Sequence, residues 1–194
     1  MDRRNGVRDT VAMTTILGLS GSLRAGSLNT ALLRTAVGLM PEGARLDAHT
    51  LHGVPLFNED DETAHGAPAP VAALKEALKA ADGLLLVTPE YNNGIPGVFK
   101  NAIDWMTRKP GGTDLFQGKP VALIGASPGG FGTILAQDMW LSVLRTLGTR
   151  PYFEGRLMVS RATEVFDSEG RMSDAKTESR LRDFLAGFTE FARR

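Results

Sequence analysis

The sequence predicts an α/β protein in which a five-stranded parallel sheet is covered by helices on both faces. Three observations predict it. Strand-like and helix-like segments alternate from residue 14 to the last residue, the pattern that builds parallel sheets from βαβ units. Most of the strand-like segments are short and wholly apolar rather than alternating, as strands buried on both faces must be. The helix-like segments repeat apolar residues every three or four positions, which gives each a face to lay on the sheet.

The first strand falls at residues 15–19 and breaks into the loop Ser20–Gly21–Ser22–Leu23–Arg24–Ala25–Gly26. A helix starts near Ser27, a good N-cap, with Leu28, Leu32, Ala36 and Leu39 on one face. Residues 45–51 alternate in part and read as a less buried strand. Residues 52–70, rich in proline, glycine and acid, read as one long loop. Val71, Leu74, Leu78 and Ala81 then follow helical spacing, Gly83 ends that helix, and residues 84–88 form the most apolar strand. The loop Pro89–Glu90–Tyr91–Asn92–Asn93–Gly94–Ile95–Pro96–Gly97 leads to a helix with Phe99, Ala102, Ile103 and Met106 on its inner face. Residues 121–125 are a fourth strand, and Trp140, Val143, Leu144 and Leu147 mark a fourth helix. Residues 156–160 are a fifth strand. Leu181, Phe184, Leu185 and Phe188 form the face of the last helix, where Arg193 and Arg194 suit the C-terminal dipole. Right-handed crossovers leave few topologies. Five units fit the flavodoxin-like order 2-1-3-4-5 best, a three-layer sandwich. Residues 13–194 read as a single domain. Residues 1–12 are polar, carry Arg3, Arg4 and Arg8, and are expected to be a disordered tail. Met13, directly before the first strand, is a second candidate start.

Composition removes several function classes. The chain has 194 residues, 42% hydrophobic and 23% charged, which suits one globular domain. Its 22 basic and 22 acidic residues cancel, so no charge excess points to nucleic acid or an anionic membrane. With no cysteine, disulfides, thiolate catalysis, cysteine-bound zinc and iron–sulfur clusters are excluded. No apolar run approaches the ~18 residues of a membrane helix, and the first residues lack a secretory pattern. The expected location is the cytoplasm. His49, His52 and His65 show no metal-ligand spacing and read as surface residues. Trp140 reads as a core or interface residue.

In such a sheet, ligands bind beyond the carboxyl ends of the strands, at the switch point between strands 1 and 3. Three loops rich in small residues converge there: 20–29, 89–94 and 127–132. In the first, Ser22, Ser27 and Asn29 supply neutral donors and Arg24 a charged one. Gly21 and Gly26 let backbone N–H groups turn inward, and the following helix presents its N-terminus. Those are the means to hold a phosphate; the plainer reading is a strand-to-helix turn with a serine cap. The loop lacks the Gly-Lys-Ser/Thr ending of a P-loop and the Gly-x-Gly-x-x-Gly dinucleotide pattern. In the second loop, Tyr91 can pack on a flat ring, and Gly94 lets the backbone come close. Glu90 is either a catalytic acid or a hydrogen-bond acceptor that orders the loop. In the third, Ser127–Pro128–Gly129–Gly130–Phe131–Gly132, the glycines permit close approach to a ring edge.

Two long runs carry a resemblance. One is Gly21–Ser22–Leu23–Arg24–Ala25–Gly26–Ser27–Leu28–Asn29. The other is Pro89–Glu90–Tyr91–Asn92, continuing into Pro96–Gly97–Val98–Phe99–Lys100–Asn101–Ala102–Ile103–Asp104–Trp105. In these the chain resembles the NADPH-dependent FMN reductase family, which includes quinone, chromate and azo-dye reductases. The resemblance runs from about Met13 to the C-terminus. It implies a bound FMN, with Ser22, Arg24, Ser27 and Asn29 at its phosphate. Glu90, Tyr91 and Asn92 would lie along the isoalloxazine and ribityl chain, and Ser127 near the ring. Lys100, Asn101 and Asp104 look structural. NADPH or NADH would donate hydride and a small-molecule acceptor would take two electrons, by a ping-pong cycle in which no side chain need be an acid–base catalyst. The acceptor would be a quinone, azo compound, metal oxyanion or flavin. The resemblance also implies a homodimer or homotetramer, to which Trp140 and residues 52–70 offer contact surface. The chain departs from many relatives at Thr133, where glycine is often found, and at Asp138, where an aromatic is common in the chromate-reductase branch.

Two other classes share this topology. A flavodoxin-type electron shuttle would bind FMN without turning over NAD(P)H; zero net charge and the reductase-type motif weigh against it. A receiver-type signalling domain needs acidic residues after strand 1 and an aspartate after strand 3, where this chain has Ser20–Gly21 and Pro89–Glu90.

Overall fold

The computed structural model describes residues 13–194, so the expected disordered tail of residues 1–12 lies outside the described residues. The sheet is parallel throughout, in the order β2-β1-β3-β4-β5, with β6 also paired to β4. The strands are β1 (Thr14–Ser20), β2 (Ala44–Thr50), β3 (Gly83–Val87), β4 (Pro120–Ala126), β5 (Arg150–Pro151) and β6 (Leu157–Val159). Every residue of β3 is buried, as befits the centre of a doubly covered sheet.

Alternate strand residues feed the two outer layers. Ile16, Leu85, Val87 and Ile124 face α1 (Leu28–Gly38) and α7 (Ala175–Arg193). Leu17, Leu19, Leu84 and Leu86 face α3 (Ala69–Ala80), α4 (Gly97–Met106) and α5 (Ile134–Thr146). The three-layer order read from the sequence is therefore the one observed.

Four features differ from the sequence reading. The fifth strand is split. Arg150–Pro151 pairs with Pro120 and Val121, and Leu157–Val159 pairs with residues from Ile124 to Ala126. The ladder runs past Pro151, from the Arg150 N–H to the Lys119 carbonyl and from the Tyr152 N–H to the Val121 carbonyl, so the proline nitrogen faces the open edge; Tyr152 then turns inward against Phe184, Phe188 and Phe191. Residues 52–70 are not wholly a loop, since α2 (Glu59–His65) lies within them. Asn58 caps it by accepting from the Asp60 N–H at 3.0 Å, and four acids in its first turn suit the helix dipole. None of its residues is buried, so no apolar periodicity could reveal it. A four-residue helix, α6 (Ala162–Val165), also follows β6. Finally, Trp140 is fully buried. It packs edge-on to Phe99 and donates from Nε1 to Thr88 Oγ1 at 3.2 Å, so it offers no contact surface to a second copy.

Candidate functional site

The cleft begins where β1 and β3 part. The Gly21 N–H donates to the Val87 carbonyl at 2.9 Å. A Cβ on Gly21 would stand 2.1 Å from the Phe99 ring and 2.9 Å from Pro89 Cδ. Only glycine lets α4 close beneath this turn.

Beyond it, the chain folds on itself. Ser22 Oγ accepts from the Arg24 N–H at 3.3 Å, and the Arg24 carbonyl accepts from the Ser27 N–H at 3.1 Å. Ser27 caps α1, its Oγ accepting from the Thr30 N–H at 3.2 Å. Among the described residues, the N–H groups of Leu23, Ala25, Gly26, Leu28 and Asn29 find no acceptor. A run of open N–H groups at a helix start is what an anion needs. Ser22 and Ser27 are buried, and each hydroxyl, already accepting one bond, keeps a proton to donate. Arg24 is exposed beside them. The Asn29 amide has another partner. It donates to the Ala126 carbonyl at 2.8 Å and accepts from the Ala126 N–H at 2.9 Å. That pair ties the start of α1 to the end of β4, and what Asn29 offers an anion is its backbone N–H.

The second loop is a tight turn, closed by Tyr91 N–H to the Gly94 carbonyl at 3.1 Å and Gly94 N–H to the Tyr91 carbonyl at 3.0 Å. Its central residues, Asn92 and Asn93, have φ of 49° and 63°. Asparagine is one of the few residues that adopts this left-handed geometry readily. Gly94 serves a different end from the expected approach to a ligand: a Cβ there would lie 3.0 Å from Met139 Sδ, so α5 packs on it. Glu90 reaches across to α5, its Oε2 accepting from the Leu135 and Ala136 N–H groups at 2.9 and 3.0 Å. Thr133, at the N-cap, makes no such bond. Glu90 thus acts as the ordering acceptor, one of its two readings from sequence.

The third loop is anchored to the sheet edge. Ser127 N–H donates to the Val159 carbonyl at 3.0 Å, and the Ser127 and Gly129 carbonyls accept from Ala162 and Arg161. Around Gly130 no atom would meet a Cβ within 4 Å, and around Gly129 only Ser127 Oγ would, at 3.7 Å. Thr133 fits because Gly125 lacks a side chain: a Cβ on Gly125 would stand 2.0 Å from Thr133 Oγ1.

The three loops enclose one cleft of about 700 Å³. Ser22, Arg24, Ser27, Asn29, Glu90, Tyr91 and Ser127 all line it, while Asn92 stands outside that lining. Sequence reasoning missed the wall formed by Thr163, Phe166, Asp167 and Ser168. These residues follow β6, which pairs only with the upper end of β4; no motif marks them. Backbone N–H groups of Arg171 and Glu169, and the Arg171 guanidinium, bond the Asp167 carboxyl. Those bonds, the Arg171 backbone first, hold its pKa below the usual carboxylate value. Among the described residues there is no metal-binding group of three or more acidic or histidine side chains, and no helix long and apolar enough to cross a membrane.

Known proteins are similar to this chain. The model of the NADPH-dependent FMN reductase family matches residues 14–164. An NAD(P)H-dependent FMN reductase of Pseudomonas aeruginosa is 43% identical over 179 residues, covering 92% of this chain and 95% of that protein. A quinone reductase of Escherichia coli is 35% identical over 184 residues, covering 92% of this chain and 95% of its own. Among solved structures, FerB, a flavoenzyme NAD(P)H:(acceptor) oxidoreductase from Paracoccus denitrificans, superposes with a TM-score of 0.80 at 37% identity, over 93% of this chain and 97% of its own.

Proposed function

Because the chain belongs to the NADPH-dependent FMN reductase family, and so is an oxidoreductase using FMN and NAD(P)H, we propose that its cleft serves donor and acceptor in turn, with a quinone as the acceptor. The observation that carries this reading is the mixed lining of the cleft. The first loop brings unpartnered N–H groups and Arg24 to it, and the second and third bring a half-exposed Tyr91 and Ser127. Bound FMN supplies the hydride chemistry; the protein supplies position and electrostatics.

The residues divide the work. The N–H groups from Leu23 to Asn29, the Ser22 and Ser27 hydroxyls and the Arg24 guanidinium hold the phosphate, assisted by the α1 dipole. Tyr91 gives the ring system an aromatic wall, and Ser127, at the end of β4, offers it a polar edge. Asn92 holds the turn that presents Tyr91. Glu90 acts from behind by fixing α5 against that turn. No side chain moves a proton in this scheme. The open side of the cleft admits one flat molecule at a time, so donor and acceptor alternate. Relatives named for quinones favour that acceptor class. A cytoplasmic setting and self-association belong to the same reading.

The test is anaerobic stopped-flow absorbance. NADPH or NADH alone should bleach the flavin, a quinone should restore its colour, and initial-rate plots at several quinone concentrations should be parallel. A flavin that neither nucleotide reduces would instead fit an electron shuttle fed by a separate reductase. Intersecting plots would replace alternation with a ternary complex.

A further inference from the structure

His52 follows β2 and has no part in the scheme above, yet it reaches the anion loop. Its ring lies between two oxygens: Nδ1 is 3.0 Å from Thr50 Oγ1 and Nε2 is 3.1 Å from the Leu23 carbonyl. A carbonyl can only accept, so Nε2 carries a proton. In the neutral ring Nδ1 then accepts from the Thr50 hydroxyl.

The bond to Leu23 is singular in its place. The Leu23 carbonyl and the Arg24 N–H belong to one peptide plane. The N–H end is held by Ser22 Oγ, from within the loop. The carbonyl end is held by His52, from outside it. Among the described residues, no other hydrogen bond joins residues 22–26 to another element of the fold. The far end of the link is firm, because Thr50 is the β2 partner of Ser20, the last residue of β1. A fixed rung of the sheet therefore reaches, through Thr50 and His52, the peptide that carries Arg24.

We propose that His52 is a positioning residue for the cofactor phosphate: it fixes the Leu23–Arg24 peptide, so that Arg24 and the open N–H groups are arrayed before FMN arrives. This rests on the reading of residues 22–29 as the phosphate site. Without the tie, the exposed stretch from Leu23 to Gly26 must be ordered by the ligand itself, which lowers affinity. A neutral hydrogen bond of this kind is worth about 3- to 10-fold in an equilibrium constant.

The experiment measures dissociation constants of flavin-free full chain for FMN and for riboflavin, by quenching of flavin fluorescence, in wild type, His52→Ala, His52→Asn and His52→Gln. The glutamine amide nitrogen falls near the position of Nε2 and can still donate to Leu23; the asparagine nitrogen falls near Nδ1 and cannot. Ala and Asn should weaken FMN about 3- to 10-fold. Gln should stay within about 2-fold of wild type, and riboflavin affinity should not change in any of them. Equal weakening of both flavins, failure of Gln to rescue, or no effect of Ala would each overturn the inference. A wild-type chain that binds FMN no more tightly than riboflavin would overturn the phosphate site itself. A silent His52→Ala in a chain that prefers FMN would overturn the role of His52 alone.

Discussion

Asn29 and Arg24 line the same cleft, but their chemistry separates them. The Asn29 amide completes both backbone hydrogen bonds of buried Ala126. Asn29→Ala would leave that N–H and carbonyl unsatisfied, at a cost of about 2–4 kcal/mol in folding stability. Arg24 is exposed, so Arg24→Ala should leave stability unchanged and weaken FMN about 10- to 150-fold, the worth of one charge-assisted bond. Urea unfolding of the flavin-free chain and FMN titration of both variants form the check. A fully stable Asn29→Ala, or an Arg24→Ala with unaltered affinity, would reverse these assignments. The sequence marked both residues because their types and spacing suit a phosphate loop. It could not show which atoms of Asn29 were already engaged, because their partner lies 97 residues away. Gly94 is a similar case. Its need for a small side chain was legible, but the cause, Met139 on α5, depends on tertiary packing.

Elements were legible in proportion to their buried faces. The helix α7, with Leu181, Phe184, Leu185 and Phe188 buried, declared itself by period; α2, exposed all round, did not. Side chains of α4 hold the segment before α2 instead. Asn101 Nδ2 and Trp105 Nε1 donate to the Pro55 carbonyl at 2.8 and 2.9 Å, and Asn101 Oδ1 accepts from the Phe57 N–H. Arg108 then pairs with Glu62 and Glu59. This gives the structural role expected of Asn101 a definite form, while Lys100 pairs with Asp104 one turn along. Caps are the other local device, and one of them titrates. Asp174 caps α7, its Oδ1 accepting from the Thr177 N–H at 2.7 Å. The hydroxyl and N–H of Thr177 hold its carboxyl below the ordinary value of 3.8. A carboxyl depressed in the folded state contributes stability above its unfolded pKa and loses it as pH falls through the folded one. Asp174→Asn, which can still cap but cannot titrate, should therefore match wild type near pH 7. Its stability should fall less steeply below about pH 4. Urea unfolding at several pH values measures both slopes; identical slopes would show that the cap does not contribute to acid unfolding.

At the scale of the molecule, the strand order was legible because a doubly covered parallel sheet writes itself as apolar strands separated by amphipathic helices. The upper half of the edge strand was legible too, but the two residues of β5 carry no pattern. What the order positions, besides the cleft, is an apolar surface on the third loop and the first turns of α5. Phe131 is 85% exposed, and Ile134, Leu135 and Met139 on the first turns of α5 are exposed with it, beside the half-exposed Tyr91. Soluble monomers seldom leave such a group together in water. Since Trp140 is buried, this surface, rather than the tryptophan, is where the expected self-association would form. Phe131 and Leu135 contribute little to the core, so Phe131→Ser with Leu135→Gln should leave the fold intact while removing the apolar contact. Light scattering at low micromolar concentration should give wild type at least twice the chain mass of 20.8 kDa. The double variant should move toward that mass with its unfolding midpoint, in the flavin-free state, near that of a dissociated wild type. A monomeric wild type would remove self-association from the proposed function. A variant that stays associated would keep self-association but move it to another face.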